Sequence, residues 1–136
     1  MPKKPKIPAL EHRSDCPTSS FLDVVGDRWT LLVMRDLLLK GYTKYKELAA
    51  SRERIPTNIL ADRLVKLEAA GLITKVPYQE RPPRYEYLPT LAGLDLLDVI
   101  SAMVQWSNAH LPETKTMPKE KYAAAKREWV KRLKVG

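Results

Sequence analysis

The stretch Thr57-Asn58-Ile59-Leu60-Ala61-Asp62-Arg63-Leu64-Val65-Lys66-Leu67-Glu68-Ala69-Ala70-Gly71-Leu72-Ile73-Thr74-Lys75-Val76 decides the fold, because its apolar period changes partway along. As far as Ala70, the leucines at 60, 64 and 67 recur at i, i+4 and i+7, on one face of a helix that ends at Gly71. From Leu72 to Val76 the pattern is that of a strand, and Arg84-Tyr85-Glu86-Tyr87-Leu88 reads as its partner. The connection Pro77–Pro83 is too long for a two-residue turn and is stiffened by proline.

Working outward, Pro17 suits the first turn of a short helix that carries Phe21, Leu22, Val24 and Val25 and ends at Gly26. Asp27 is placed to cap a second helix, Arg28 to Leu39, with Trp29, Leu32, Val33, Leu37 and Leu38 inward. Thr43 would cap a third, Lys44 to Ala50, with Tyr45 and Leu48 inward, and the polar linker Ser51–Arg54 leads to Pro56. Beyond the hairpin, Thr90 caps the longest helix, Leu91 to His110. Its apolar arc covers about half the circumference, more than the ~100° stripe that one core contact needs. A basic final helix, about Lys119 to Leu133, shows the stripe Tyr122, Ala125, Trp129, Leu133.

This order is a winged helix-turn-helix, mainly α with a small β-hairpin wing (α+β) and additional helices available for dimerisation. The expected division is a basic arm over residues 1–15, the winged domain with its dimerisation helix over 16–112, and a basic helical extension over 113–136.

Composition narrows the function. The 136 residues carry a net charge of +8, and one cysteine, two histidines and five glycines leave little for catalysis, metal binding or phosphate-cradling loops. No cofactor and no enzymatic activity are expected; His12 and Cys16 lack a third catalytic member. No apolar run approaches the ~20 residues of a membrane span, and Met1-Pro2-Lys3-Lys4 opens no signal peptide, so a cytoplasmic protein is expected. The charge is uneven. Residues 40–84 hold ten basic and five acidic groups, and residues 113–136 hold eight and three, whereas residues 85–112 hold three acids and no Lys or Arg. Such blocks suit a polyanion, because each cation placed at a phosphate releases condensed counterions.

The run Cys16-Pro17 with Gly26-Asp27-Arg28-Trp29-Thr30-Leu31-Leu32 resembles the start of HxlR-type transcriptional regulators, relatives of the MarR group. So do Tyr45-Lys46-Glu47-Leu48, the stretch Leu60–Ile73, and Pro82-Pro83-Arg84-Tyr85-Glu86-Tyr87 followed by Leu88–Gly93. The resemblance covers about Cys16 to Trp106. It implies a homodimeric DNA-binding regulator on a near-palindromic duplex operator, with an effector that the residues do not name. Pro56 stands where the family usually has a small polar cap, and Tyr45 replaces a usual phenylalanine.

With the leucines of the fourth helix turned inward, Asn58, Asp62, Val65 and Lys66 face away, and Thr57 and Ile59 lie near its first turn. Asn58 can pair bidentately with adenine, and the methyls of Thr57 or Ile59 can meet a thymine methyl. The plainer alternative is a surface helix with an Asp62–Lys66 pair. Arg63 reaches either a phosphate or one of Glu68 and Glu47. Lys44, Lys46, Arg52 and Arg54 suit phosphate positioning, and Arg81 and Arg84 bracket the wing tip. Cys16, at a helix N-terminus near His12 and Arg13, is either a thiol that senses oxidants, as in some HxlR-type regulators, or a small buried hydrophobe. Leu94, Leu97 and Val104 are expected on their own core. Leu96, Val99, Met103 and Trp106, with Phe21 and Leu22 of the first helix, are expected on a two-fold partner. Trp129 either joins that interface or lies back on its own domain. A winged helix that docks a protein instead of DNA is the competing function.

Overall fold

The computed structural model describes residues 14–135, so all but the last two residues of the expected arm, including His12 and Arg13, lie outside the described residues. The elements are α1 (Pro17–Val25), α2 (Thr30–Lys40), α3 (Tyr45–Ala49), α4 (Thr57–Ala69), β1 (Ile73–Gln79), β2 (Arg84–Pro89), α5 (Leu91–His110) and α6 (Lys119–Val135).

Local chemistry explains most of the boundaries. Asp27 does cap α2, its Oδ2 accepting from the amides of Trp29 at 3.0 Å and Thr30 at 3.2 Å, but the helix begins two residues later than expected. At α3 the cap differs from expectation. Lys44 holds the N-cap position, its amide donating to Glu47 Oε1 at 3.1 Å, while Thr43 is buried and its hydroxyl donates to Glu86 Oε2 at 3.0 Å. Thr43 is therefore spent on joining the helices to the hairpin: its carbonyl also accepts from the Tyr87 amide at 2.7 Å. Tyr45, expected inward, is exposed, because its hydroxyl reaches the Thr57 carbonyl at the start of α4 at 3.3 Å. The linker after α3 contains one residue with positive φ, Arg54 (φ 56°), and buries Ile55, which closes the turn against the core.

Helix α4 ends at Ala69 with Ala70 as its C-cap, and Gly71 adopts φ 79°, the left-handed conformation that reverses the chain into β1. The hairpin is antiparallel, with Ile73 opposite Pro89 and Val76 opposite Glu86, and its register shifts between Pro77 and Gln79. Strand pairing thus extends into the segment expected to be loop. The start of α5 is seated on the base of this hairpin. The Thr90 hydroxyl accepts from the Gly93 amide at 3.1 Å and donates to the Gly71 carbonyl at 2.6 Å, and the Thr90 amide donates to the Leu72 carbonyl at 3.1 Å.

One core joins these parts. Met34 and Leu37 of α2, Leu48 of α3, Leu60 of α4, Leu72 and Ile73 at the hairpin base, and Leu94 and Leu97 of α5 are all fully buried. Leu96, expected on the partner-facing edge, is buried with them at 6% exposure and belongs to the protomer's own core. Helix α6 folds back on α2 and α5. Trp129 is buried and donates from Nε1 to the Leu38 carbonyl at 2.9 Å, and Lys126 bridges Asp95 and Asp98 of α5 at 3.1 and 3.0 Å. Of the two places open to Trp129, its own domain is the one it takes.

Candidate nucleic-acid interface

The leucine stripe of α4 fixes which residues face out. With Leu60, Leu64 and Leu67 buried, the exposed positions include Thr57, Asn58, Asp62, Val65 and Lys66, while Ile59 is half-buried. Val65 leaves 68% of its surface open, an unusual exposure for a β-branched apolar side chain in the middle of a helix. Lys66 pairs with Asp62 at 3.2 Å, both exposed, so this contact contributes little to stability and yields readily to another partner.

Arg63 takes acidic partners within the fold, but neither of the two expected. Its guanidinium is half-buried and bonds Asp27 through Nε at 2.8 Å and Asp62 through Nη1, not Glu68, Glu47 or open solvent. The physical reason is proximity: the α1–α2 turn passes beside α4 and presents an acceptor that is already holding the amides at the start of α2. Partial burial opposes ionisation of Asp27, but hydrogen bonds from the Thr30 hydroxyl, Arg63 and the Trp29 amide outweigh it and hold the carboxyl at about 2. Arg63 thus clamps α4 to the rest of the domain.

Exposed cations come from three further segments. Lys44 and Lys46 at the start of α3, Arg52 and Arg54 in the turn, and Arg81 and Arg84 at the end of the hairpin are all exposed. One contact ties the hairpin to the start of α3, and a second joins its two strands. The Lys44 ammonium lies 4.6 Å from the centre of the Tyr78 ring, and the Lys75 ammonium lies 4.6 Å from that of Tyr85. Lys75, Tyr78 and Tyr85 are not among the residues singled out from sequence. Strand alternation was the available signal, since Lys75 lies opposite Tyr87 and diagonally adjacent to Tyr85 on one face.

Cys16 lies at the N-terminus of α1 and is exposed, not buried. Backbone amides of Ser19 and Thr18 hold its thiol below the usual cysteine range. On α5 the apolar arc divides: Leu94, Leu97 and Ile100 are buried, Val99 and Val104 half-buried, and Met103 and Trp106 exposed. Leu22 of α1 is also exposed, with Phe21 half-buried beside it. Among the described residues no cluster of His, Cys, Asp and Glu suits a metal ion, and no helix is long and apolar enough to cross a membrane.

Comparison with known proteins agrees with this architecture. Residues 24–115 match the model of the HxlR-like helix-turn-helix family. The chain is 39% identical over 97 residues to an uncharacterised HTH-type transcriptional regulator of Mycobacterium tuberculosis, a match that covers 71% of this chain and 60% of that protein. It thus spans less than two thirds of the mycobacterial relative's length. Among solved structures it is similar to PA1607, a candidate transcription factor (33% identity, TM-score 0.67, 77% of this chain and 73% of that one). It is also similar to the reduced form of the transcriptional regulator YodB from Bacillus subtilis (26% identity, TM-score 0.60, 75% of this chain and 100% of that one). With a family match over most of its length and a winged fold shared with solved regulators, the chain belongs to the HxlR-like helix-turn-helix family of transcriptional regulators.

Proposed function

We propose that this regulator binds specific sites in duplex DNA as a homodimer, with the first turn of α4 in the major groove and the hairpin against the adjacent backbone. The observation that carries the reading is the setting of Asn58. It is an exposed amide on the first turn of α4, beside exposed Thr57, whose carbonyl accepts from Tyr45 of α3, and the neighbouring Lys44 and Lys46 are exposed. An amide so placed can donate to and accept from one adenine edge, and the Thr57 methyl can meet a thymine. Lys44, Lys46, Arg52, Arg54, Arg81 and Arg84 then act on phosphates, which set register without reading sequence. Arg63 contributes by holding α4 in place, and Asp62 and Lys66 border the reading face. Two protomers joined through Phe21, Leu22, Val99, Met103 and Trp106 would set two α4 helices one duplex turn apart, ~34 Å, on a near-palindromic site.

Selection of bound duplexes from a random pool, followed by variant titrations, tests this. Lys44→Ala and Arg84→Ala are expected to weaken all sequences alike and each to reduce the salt slope by about one. Asn58→Ala is expected to relax discrimination at one base pair by ~1–3 kcal/mol. Unchanged base preference in Asn58→Ala would place the reading face elsewhere. A protein that binds no duplex but captures a protein partner would be an interaction module instead.

A response to oxidants or electrophiles is favoured by the exposed, amide-stabilised thiol of Cys16. YodB, similar in fold, is known in both reduced and diamide-treated forms. Diamide is expected to change DNA affinity in the wild type and not in Cys16→Ser, and an identical response from both would make Cys16 structural. The sequence holds one cysteine, so a disulfide formed by diamide joins two chains or one chain and a small thiol.

A further inference from the structure

Helix α6 lies wholly beyond the residues that match the family, and its last turns carry exposed cations. Its first half is committed to packing: Tyr122 is buried, and Lys126 is held between Asp95 and Asp98. Trp129 then fastens the helix to the end of α2. Past that anchor, Lys131, Arg132 and Lys134 are exposed. Among the described residues Lys131 pairs with Glu128, at 4.0 Å with both side chains more than three-quarters exposed, a contact of negligible strength.

The position of this end is informative. Arg132 lies over the Trp129 ring, 4.8 Å from its centre, and its Nη2 is 3.6 Å from Glu86 Oε2 on β2. The same Glu86 oxygen accepts from Thr43, which directly precedes Lys44. Lys44 in turn lies on the Tyr78 ring of the hairpin. Arg132, Glu86, Thr43 and Lys44 therefore form one short row of contacts from the end of α6 to the start of α3. A helix needs some cations in its last turn to offset its dipole, and that is the plainer use of these residues. It does not account for an arginine carried to the hairpin beside a lysine proposed to bind phosphate.

We infer that the C-terminal turns of α6 form an additional contact surface for the DNA backbone, in which Arg132 at the hairpin edge and the exposed Lys131 and Lys134 of the same turns add cations to that of Lys44. Glu86 sits inside the row of contacts and restrains Arg132. The inference rests on the DNA-binding reading above and predicts a footprint wider than α4 and the wing alone would give.

The test is the salt dependence of binding to a duplex selected by the wild type. Lys131→Glu/Lys134→Glu is compared with Lys119→Glu/Lys121→Glu, which alters net charge equally at the opposite end of the helix. All four side chains are exposed, and circular dichroism checks that both variants keep the wild-type fold. The C-terminal pair is expected to lower affinity at least about tenfold near physiological salt and to reduce the slope by about two per protomer, at ~0.9 per phosphate. The other pair should change the slope by less than half as much. Glu86→Gln, which keeps an acceptor for Thr43 but loses its charge, should strengthen binding to all sequences. Equal effects of the two pairs, or a wild-type slope in the C-terminal pair, overturn this inference alone. A wild type that binds no duplex overturns the DNA-binding reading and this inference with it.

Discussion

Gly93→Ala is expected to lower the midpoint of thermal unfolding by roughly 10 °C. A methyl group at this position would lie 2.0 Å from the Leu72 carbonyl oxygen, 3.1 Å from its carbon and 3.3 Å from Met34 Cε. The Met34 side chain can yield, but the Leu72 carbonyl cannot move without cost, because it accepts from the Thr90 amide. The start of α5 must therefore lift off the hairpin base and strain the Thr90 bridge to Gly71. Overpacking usually costs ~1–3 kcal/mol, and a clash of backbone on backbone belongs at the upper end. Gly41→Ala is the informative contrast. Gly41 has φ 70°, but nothing lies within 4 Å of the added methyl. Only the left-handed strain of ~1–2 kcal/mol remains there. Calorimetry of both variants checks the pair, and equal losses would mean that α5 is not seated on Leu72 as described.

The double variant Met103→Asp/Trp106→Asp is expected to convert a dimer into a monomer near 15.6 kDa at micromolar concentration in sedimentation experiments. Met103 is 50% exposed and Trp106 61%, two large apolar side chains one turn apart on α5 that a lone small domain rarely leaves open. Trp106 also packs against His110, ring centres 5.0 Å apart and planes tilted by 44°. Central interface anchors often contribute about 2 kcal/mol or more apiece, so losing both should weaken association about a thousandfold. Neither side chain belongs to the protomer's core, so the variant should keep its helical content. Its affinity for a palindromic duplex should fall with the dimer, since each half-site would be bound independently. A wild type that sediments as a monomer at the same concentration refutes the two-fold arrangement.

Helix existence, helix type and the hairpin were legible because they depend on short-range pattern. The α5 boundaries, Leu91–His110, follow from a threonine cap and a long apolar arc, and α1 follows from Pro17 and Gly26. Errors gathered where a side chain had a choice of distant partners. Thr43 has the chemistry of a cap, yet its hydroxyl goes to Glu86, 43 residues away. Arg63 had acidic residues within reach along its own helix and on α3, yet its partners are its neighbour Asp62 and the distant Asp27. Ile55 sat unnoticed in a polar linker, because burial of an isolated apolar residue has no periodic signature.

The candidate interface divides in the same way. Which residues of α4 face outward follows from three leucines and the geometry of one helix, so Thr57, Asn58, Asp62 and Lys66 could be named from sequence. The tie between Lys44 and the hairpin depended on how α3 meets the wing, and no local pattern encodes that.

The sequence by itself determined the element order, the leucine stripes and the basic blocks, because propensity, capping and amphipathic period act within a few residues along the chain. Tertiary structure alone decided that Leu96 turns inward, that Trp129 anchors α6 on α2, and that Arg132 meets Glu86 beside the start of α3. The apolar arc of α5 is too broad to say which edge its own core will cover. That depends on where α2 and α6 come to rest, and burial against those helices, rather than any property of α5, selected Leu96 for the core and left Met103 and Trp106 outside.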